Sequence, residues 1–199
     1  NEEIISSLGT IGLNALAVTL TSMVGSMLAV HALRKYLLKL NAQGRSCQEA
    51  PEDSDPGSGE AVHVDHSLTL AIVFTFAVTA LVGLFLPLGP KDCVAAAAGF
   101  GWYSLAPTLL APYSLTVSAT AFLSNIMHEL FSIVAVPIVA QKLGYIEAVA
   151  LPGATAMDTL LPVVVSATAD RMAIYSFASG LILSLAVPVL VPAIIALPL

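Results

Sequence analysis

The chain has 199 residues, of which 57% are hydrophobic and 10% are charged. A soluble domain carries about 25% charged residues, so this composition excludes an ordinary soluble protein. The formal net charge of −6, with only seven Lys and Arg, predicts no basic face and no nucleic-acid partner.

Long apolar segments follow one another along the chain, and a bilayer span needs roughly 20 such residues. They predict an all-α polytopic integral membrane protein with about six transmembrane helices, two of them interrupted. The segments lie near residues 8–32, 67–88, 92–110, 115–141, 145–167 and 171–197.

Three regions divide the sequence. Residues 1–40 hold the first transmembrane helix and a basic cytoplasmic end. Residues 41–66 are polar and acidic and cannot bury enough apolar area to fold alone, so we expect a flexible cytoplasmic loop there. Residues 67–199 form the predicted five-helix transporter core.

Positive charge sets the predicted orientation, because cytoplasmic loops are rich in Lys and Arg. We place the end of segment one in the cytoplasm, since four basic residues follow it: Arg34, Lys35, Lys39 and Arg45. Strict alternation of spans then predicts that Lys91 and Lys142 lie outside and Arg171 inside. Both chain termini are expected outside the cell membrane.

Several kinds of site are not expected. Cys47 and Cys93 form neither a disulfide framework nor a zinc-binding spacing. The sequence lacks HExxH and GxSxG motifs, so we predict no enzyme, no metal and no cofactor.

An internal repeat is suggested by shifting the sequence by 55 residues, which carries Asp92 onto Glu147. The same shift aligns Ser104 with Thr159, and it superimposes the two interrupted segments. If each unit holds two spans, the repeat is parallel, of a kind common in transporters.

Two acids lie near the middle of apolar segments, Glu129 and Asp158. A carboxylate at the centre of a membrane helix costs about 3 kcal/mol on insertion scales and usually marks an ion or substrate path. A carboxylate pair suits a cation or a proton. The alternative is a pair of hydrogen-bonded structural groups.

Polar residues form two neighbouring rows on one face of segment four, which predicts a cavity lining. The alternative is hydrogen bonding that joins helices. The rows are Thr116, Thr120, Ser124 and His128, and Asn125, Glu129 and Ser132.

Pro152-Gly153 interrupts segment five one turn before Asp158. Proline removes a backbone donor and glycine tolerates unusual dihedrals. We expect Thr155 to cap a second half-helix and Asp158 to lie in its first turn. An ordinary proline kink is the alternative.

The matching interruption in segment three begins at Gly99 and Gly101, which allow backbones to approach closely. Trp102 and Tyr103 can stack on an alkyl chain or a cation, and Ser104 follows them. Small-residue packing with an interfacial aromatic belt is the alternative.

Other ionisable residues have simpler expected roles. His128 is a possible proton shuttle, although a hydrogen-bonded packing role is more common. The other histidines, His31, His63 and His66, are expected to be solvated. Four charged residues sit at predicted helix ends, where capping is the default: Asp92, Glu147, Asp170 and Arg171.

The region from Gly99 to the C-terminus resembles the lysine exporter (LysO) family of bacteria and archaea. The resemblance lies in ordered stretches: Gly99-Phe-Gly-Trp-Tyr-Ser-Leu105, Asn125 to Leu130, Gly153-Ala-Thr-Ala-Met-Asp158, Leu161-Pro-Val163 and Ile182-Leu-Ser-Leu-Ala-Val-Pro-Val189. Residues 8–90 match mostly in hydropathy.

The resemblance implies export of L-lysine and thialysine across the cytoplasmic membrane, with the acid pair Glu129 and Asp158 needed for transport. Family members have about eight helices, or are split into a short and a longer protein. This chain resembles the longer, C-terminal part, which implies a small two-helix partner or a homodimer.

The expected mechanism is secondary transport coupled to inward H⁺ or Na⁺, because moving a cation outward costs about 2.3 kcal/mol per 100 mV. Two alternatives remain open: a transporter or antiporter for another cation or amino acid, and a structural subunit of a membrane complex without a transport path.

Overall fold

The computed structural model describes residues 2–32 and 72–198. The predicted loop at residues 41–66 lies outside these ranges, as do Cys47, His63, His66 and the four basic residues that follow the first segment. The described residues form helices and no strand: α1 Glu2–Ala32, α2 Ile72–Gly83, α3 Pro90–Ala97, α4 Leu105–Leu110, α5 Leu115–Lys142, α6 Tyr145–Ala150, a 3-10 helix Gly153–Met157, α7 Leu161–Ala167 and α8 Met172–Ala196.

Three of the described helices are long and apolar enough to cross a membrane: α1 from Leu8 to Ala32, α5 and α8. Their 25 to 28 residues correspond to about 40 Å of helix, which exceeds the hydrocarbon thickness of a bilayer. Large apolar side chains remain exposed along them, as in a protein whose solvent is lipid. The predicted all-α polytopic membrane protein is confirmed.

Helices α1 and α5 pack side by side and run in the same direction. Midway along both, the Thr19 hydroxyl donates a hydrogen bond of 2.9 Å to the Ser124 carbonyl oxygen. Toward the start of α5, Val18 shares a buried cluster with Val117. Toward its end, Met23 shares another with Val139. The contacts therefore follow one another in the same order along α1 and α5, so the two helices are parallel.

The third apolar segment is a re-entrant hairpin, which we call hairpin A (residues 90–113). Its first turn and its last residue meet, because the Tyr113 hydroxyl donates a 2.9 Å hydrogen bond to Asp92 Oδ1. This bond raises the pKa of Tyr113 above its usual value. Lys91 lies over the Tyr113 ring, 5.8 Å from its centre, and donates to the Leu197 carbonyl. We call the end of the molecule where Lys91, Tyr113 and Leu197 meet the Lys91 end.

The fifth apolar segment is a second re-entrant hairpin, hairpin B (residues 145–169). Tyr145 at its start and Ala167 at its end pack against the same buried cluster, which also contacts Leu143 and contains Met172. His31 at the end of α1 contacts Glu147 in this hairpin. The first and last residues of hairpin B therefore lie at the end of the molecule that holds Lys142. We call this end of the molecule the Lys142 end.

Strict alternation of spans is wrong for this chain. Lys91 and Lys142 lie at opposite ends of the molecule, and Arg171, which directly precedes α8, lies at the Lys142 end. A re-entrant hairpin returns to the side it left, so it adds no crossing. Hydropathy cannot detect that return.

The predicted repeat is present in the order of elements, but its direction is inverted rather than parallel. Each unit is a hairpin followed by one long helix: α3, α4 and α5, then α6, α7 and α8. Only the long helix of each unit crosses from one end of the molecule to the other. The second unit therefore starts from the opposite end, so hairpin A enters from the Lys91 end and hairpin B from the Lys142 end. Inverted repeats of this kind build the central sites of many transporters.

Opposite placement of the two lysines can be tested by thiol labelling. In a Cys47→Ser, Cys93→Ser background, Lys91→Cys and Lys142→Cys should react differently with a membrane-impermeant maleimide in intact cells: only one of them should be labelled. The unlabelled variant should react once the cells are permeabilised, and Leu197→Cys should behave like Lys91→Cys. Labelling of both lysine positions in intact cells would restore strict alternation.

Candidate functional site

The tips of the two hairpins meet in the middle of the bundle. The Ala154 N–H donates a 2.9 Å hydrogen bond to the Phe100 carbonyl oxygen. Phe100 and Gly153 both have positive φ, 48° and 69°, because the chain reverses there. A Cβ on Gly153 would lie directly against the Phe100 carbonyl oxygen. The interruptions are therefore reversals of the chain, and an ordinary proline kink is excluded.

Asn125 of α5 holds the tip of hairpin A. Its Oδ1 accepts a 2.7 Å hydrogen bond from the Gly101 N–H, and its Nδ2 donates to the Ala121 and Ala96 carbonyls at 2.7 and 3.4 Å. A Cβ on Gly99 would lie 2.7 Å from Asn125 Oδ1. The Asn125 side chain therefore supplies hydrogen bonds that the backbone loses where the chain reverses. Gly99 leaves room for this side chain because it has no Cβ.

His128, one turn further along α5, holds the tip of hairpin B. Its Nε2–H donates a 3.0 Å hydrogen bond to the Leu151 carbonyl, and the side chain is buried. From α8, Ser176 donates a 2.7 Å hydrogen bond to the Ala156 carbonyl. In this arrangement Nε2 of His128 is engaged with the backbone, and the proton-shuttle hypothesis stays a prediction.

Ser124 and Thr155 are buried, and each hydroxyl bonds to a nearby carbonyl. Ser124 donates to Ala121 at 3.1 Å, and Thr155 donates to Pro152 at 2.8 Å. The expected capping role of Thr155 is wrong, because Thr155 lies inside the 3-10 helix and α7 begins only at Leu161.

The expected position of Asp158 in the first turn of a half-helix is also wrong. Asp158 follows the 3-10 helix with φ −130° and ψ −94°, three residues before α7. The reason is Pro162, since proline is best accommodated in the first turn of a helix and sets where α7 starts.

Trp102, Tyr103 and Ser104 form the path from the tip of hairpin A into α4. Trp102 is half-buried, whereas Tyr103 and Ser104 are exposed. The shift of 55 residues carries Tyr103 onto Asp158 and Ser104 onto Thr159, which leave the tip of hairpin B in the same way. The two exits therefore present an aromatic and a carboxylate at equivalent positions.

The two acids have no cationic partner among the described residues. Glu129 is half-buried at the middle of α5, and no described residue forms a hydrogen bond or ion pair with it. Asp158 is exposed, and its Oδ1 accepts a 2.7 Å hydrogen bond from the Thr159 N–H. Neither is paired with a described Lys, Arg or His. A carboxylate without a cationic partner in a membrane protein usually faces water, a substrate or an ion.

The burial of Glu147 was not predicted from its position near a helix end. Glu147 is fully buried, and its Oε1 lies 3.4 Å from His31 Nδ1. Glu147 lies in the first turn of α6, at a helix end as expected, but hairpin B buries it against the end of α1. His31 remains partly exposed, and its contact with Glu147 was not predicted. The one available signal was that Glu147 is surrounded by apolar neighbours in the sequence.

Sequence reasoning also missed a small, mostly apolar cavity beside α1 and α2. Ser22 and Ser26 of α1 and Thr75 of α2 line a cavity of about 20 Å³ that reaches His128 and both hairpin tips. That volume holds about one water molecule. All three hydroxyls lie in predominantly apolar segments, so only packing brings them to the same cavity.

The sequence model of the lysine exporter LysO family matches residues 62–195. This chain belongs to that family. The matched region contains every described element from α2 to α8, including both hairpins and both acids. The resemblance first recognised in the residues after Gly99 is thereby confirmed.

Two relatives show how much of the family protein this chain represents. Lysine exporter LysO of Escherichia coli K12 is 32% identical over 126 residues, covering 62% of this chain and 42% of that protein. A Haemophilus influenzae protein provisionally named as a lysine exporter is 26% identical over 129 residues, covering 62% of this chain and 65% of that protein. The chain thus spans less than two thirds of either relative. No solved structure matches it.

Contact between the tips can be tested at Gly153. Gly153→Ala should destabilise the protein by more than the roughly 1–2 kcal/mol of a left-handed alanine, because its Cβ also meets the Phe100 carbonyl. Thermal unfolding in detergent measures this. Gly12→Ala is the matched control, since a Cβ there meets nothing within 4 Å. Equal unfolding temperatures for the two variants would contradict the described contact.

Proposed function

We propose that this chain carries the transport core of a secondary transporter that exports L-lysine across the cytoplasmic membrane. Family membership and the names of the two relatives support lysine as the substrate. Thialysine, a close lysine analogue, is proposed as a second substrate.

The observation that carries the proposal is the contact between two opposed re-entrant hairpins. Asp158 directly follows the tip of hairpin B, and Glu129 is the residue after His128, which holds that tip. Non-helical backbone at membrane depth is tolerated where it is buried in protein or lines a water-filled cavity. In transporters such breaks lie at the substrate site, near the middle of the membrane. Two carboxylates without cationic partners suit the ammonium groups of lysine or a counter-ion.

Coupling to inward H⁺ or Na⁺ supplies the driving force. Lysine carries a net positive charge, and each charge moved outward costs about 2.3 kcal/mol per 100 mV. Protonation of Glu129 or Asp158 would release a bound cation, because a neutral carboxyl attracts it far less. The exchange of proton and lysine at one acid is the simplest link between the two fluxes.

The charge distribution supports an orientation with the Lys142 end in the cytoplasm. Helix α1 ends there, and Arg34, Lys35, Lys39 and Arg45 come next in the sequence; with Lys142 and Arg171 they are six of the seven basic residues. Only Lys91 falls outside. This asymmetry follows the positive-inside rule more closely than strict alternation does. In the proposed orientation both ends of this chain lie outside.

A partner is also proposed, either a small two-helix subunit or a second copy. This chain covers only 42% of the Escherichia coli relative, and Asp158 is exposed although it is proposed to act inside the membrane. An added helical pair or a second copy would enclose it.

Lysine export is the direct test. Lysine-loaded cells or proteoliposomes that contain the unmodified chain, with a two-helix partner supplied if needed, should export lysine. At equal protein levels, Glu129→Gln and Asp158→Asn should each reduce export at least about a hundredfold, as expected when a positioned acid is lost. Asp170→Asn, an exposed acid before α8, is the matched control and should export normally.

The alternatives predict other outcomes. If the protein transports but lysine does not compete, its substrate is another cation or amino acid. If Glu129→Gln and Asp158→Asn leave the function of an assembled complex intact, the chain is a structural subunit and the transport proposal fails.

A further inference from the structure

The end of α1 meets hairpin B through a small contact. Ala29 and Val30 are buried there, packed against Ile146 and Ala150 of α6. Beside them, His31 Nδ1 lies 3.4 Å from Glu147 Oε1. Two small apolar side chains bury little area, and buried apolar area sets the strength of such a contact. The polar pair therefore carries a large share of this attachment.

Hairpin B is attached more extensively to the long helices α5 and α8. One buried cluster joins the hairpin to both helices, whereas α1 contributes a single buried member, Met23, among the described residues. The hairpin supplies Ala148, Val149, Leu151, Leu160 and Val164, α5 supplies Val136, Val139 and Ala140, and α8 supplies Met172. The end of α1 is thus the neighbour from which the hairpin can separate with the smallest loss of packing.

Glu147 makes that separation chemically significant. Its side chain is fully buried, whereas the side chain of His31 is 39% exposed, so the pair lies where the protein interior meets the surface. Burying an ionised carboxylate is strongly unfavourable unless it is paired. Closure of α1 on hairpin B and pairing of Glu147 with His31 therefore support each other, and separation would hydrate the carboxylate and break the pair.

The equivalent acid of the first repeat unit is used differently. Asp92, which the shift of 55 residues carries onto Glu147, is partly exposed and accepts a hydrogen bond from Tyr113 within its own hairpin. Glu147 instead contacts a helix outside its hairpin. Transporters with inverted repeats open by moving one unit against the other. An acid that ties its hairpin to α1 at the Lys142 end indicates that this end is closed in the structure.

We propose that His31 and Glu147 form a latch that holds hairpin B against α1 at the Lys142 end, and that each transport cycle opens it. The role in transport rests on the proposed function, because hairpin B carries Asp158. The two residues position the hairpin and do not touch the substrate. Opening separates them and uncovers Val30, so the state of the latch can be measured without lysine.

Reaction of a thiol at Val30 reports whether the latch is open. In a Cys47→Ser, Cys93→Ser background, Val30→Cys in purified protein should react slowly with a charged methanethiosulfonate reagent. His31→Ala should raise the rate about tenfold, as expected when a hydrogen bond to a charged group is lost. His31→Asn, which offers an amide N–H in place of Nδ1, should return the rate toward the original value. Equal rates with His31 and with His31→Ala would overturn the latch.

Tyr113→Phe is the matched control. It removes the hydrogen bond of the equivalent acid Asp92 at the Lys91 end, so the reaction of Val30→Cys at the Lys142 end should keep its rate. An acceleration as large as that of His31→Ala would indicate general loosening of the protein and would contradict a local latch.

A reversible cross-link tests whether transport requires opening. Val30→Cys and Ile146→Cys, in the same background, leave His31 and Glu147 intact and can be joined by a short bifunctional methanethiosulfonate reagent. In proteoliposomes, joining them should stop lysine export, and a reductant should restore it. Unchanged export by the joined protein would show that the contact persists through the cycle, and the latch proposal would fail.

The two proposals fail separately. Faster thiol reaction in the His31→Ala variant of a protein that exports no lysine would keep the latch and remove the lysine exporter. Lysine export by a protein whose thiol reaction does not depend on His31 would do the reverse.

Discussion

The structure depends on one constraint: a backbone that reverses inside a membrane must find hydrogen-bond partners within the protein, because lipid supplies none. The two hairpins meet this requirement partly through each other, by the bond from Ala154 N–H to the Phe100 carbonyl. Side chains of the long helices supply other bonds at the reversals, with Asn125 accepting from Gly101, His128 donating to Leu151 and Ser176 donating to Ala156.

Helix α5 connects these requirements to function. Asn125 holds hairpin A, His128 holds hairpin B, and Glu129 follows directly. Movement of either tip would therefore act on the same turn of helix that carries a membrane-embedded carboxylate. The inverted repeat explains why the tips face each other: each unit crosses the membrane once, so the second hairpin enters from the opposite side.

Much of the site was predictable from residue types. Gly99, Gly101, Pro152 and Gly153 marked the reversals, because they permit dihedrals or remove donors that a continuous helix needs. Glu129 stood out because an acid at mid-span is costly. The pairing partners were not predictable, since a contact such as His31 with Glu147 spans 116 residues of sequence and leaves no local pattern.

The sequence by itself determined that this is an all-α membrane protein of the lysine exporter LysO family, with two broken segments and two acids at membrane depth. The membrane class, the broken segments and the acids follow from local composition, because the cost of placing each residue in lipid depends on that residue. The family follows from ordered stretches of matching residues. Only the tertiary structure decided that the broken segments turn back, that the repeat is inverted, and that Ser22, Ser26 and Thr75 share a cavity. Direction and convergence arise from packing between distant segments, and hydropathy carries no record of which segments pack together.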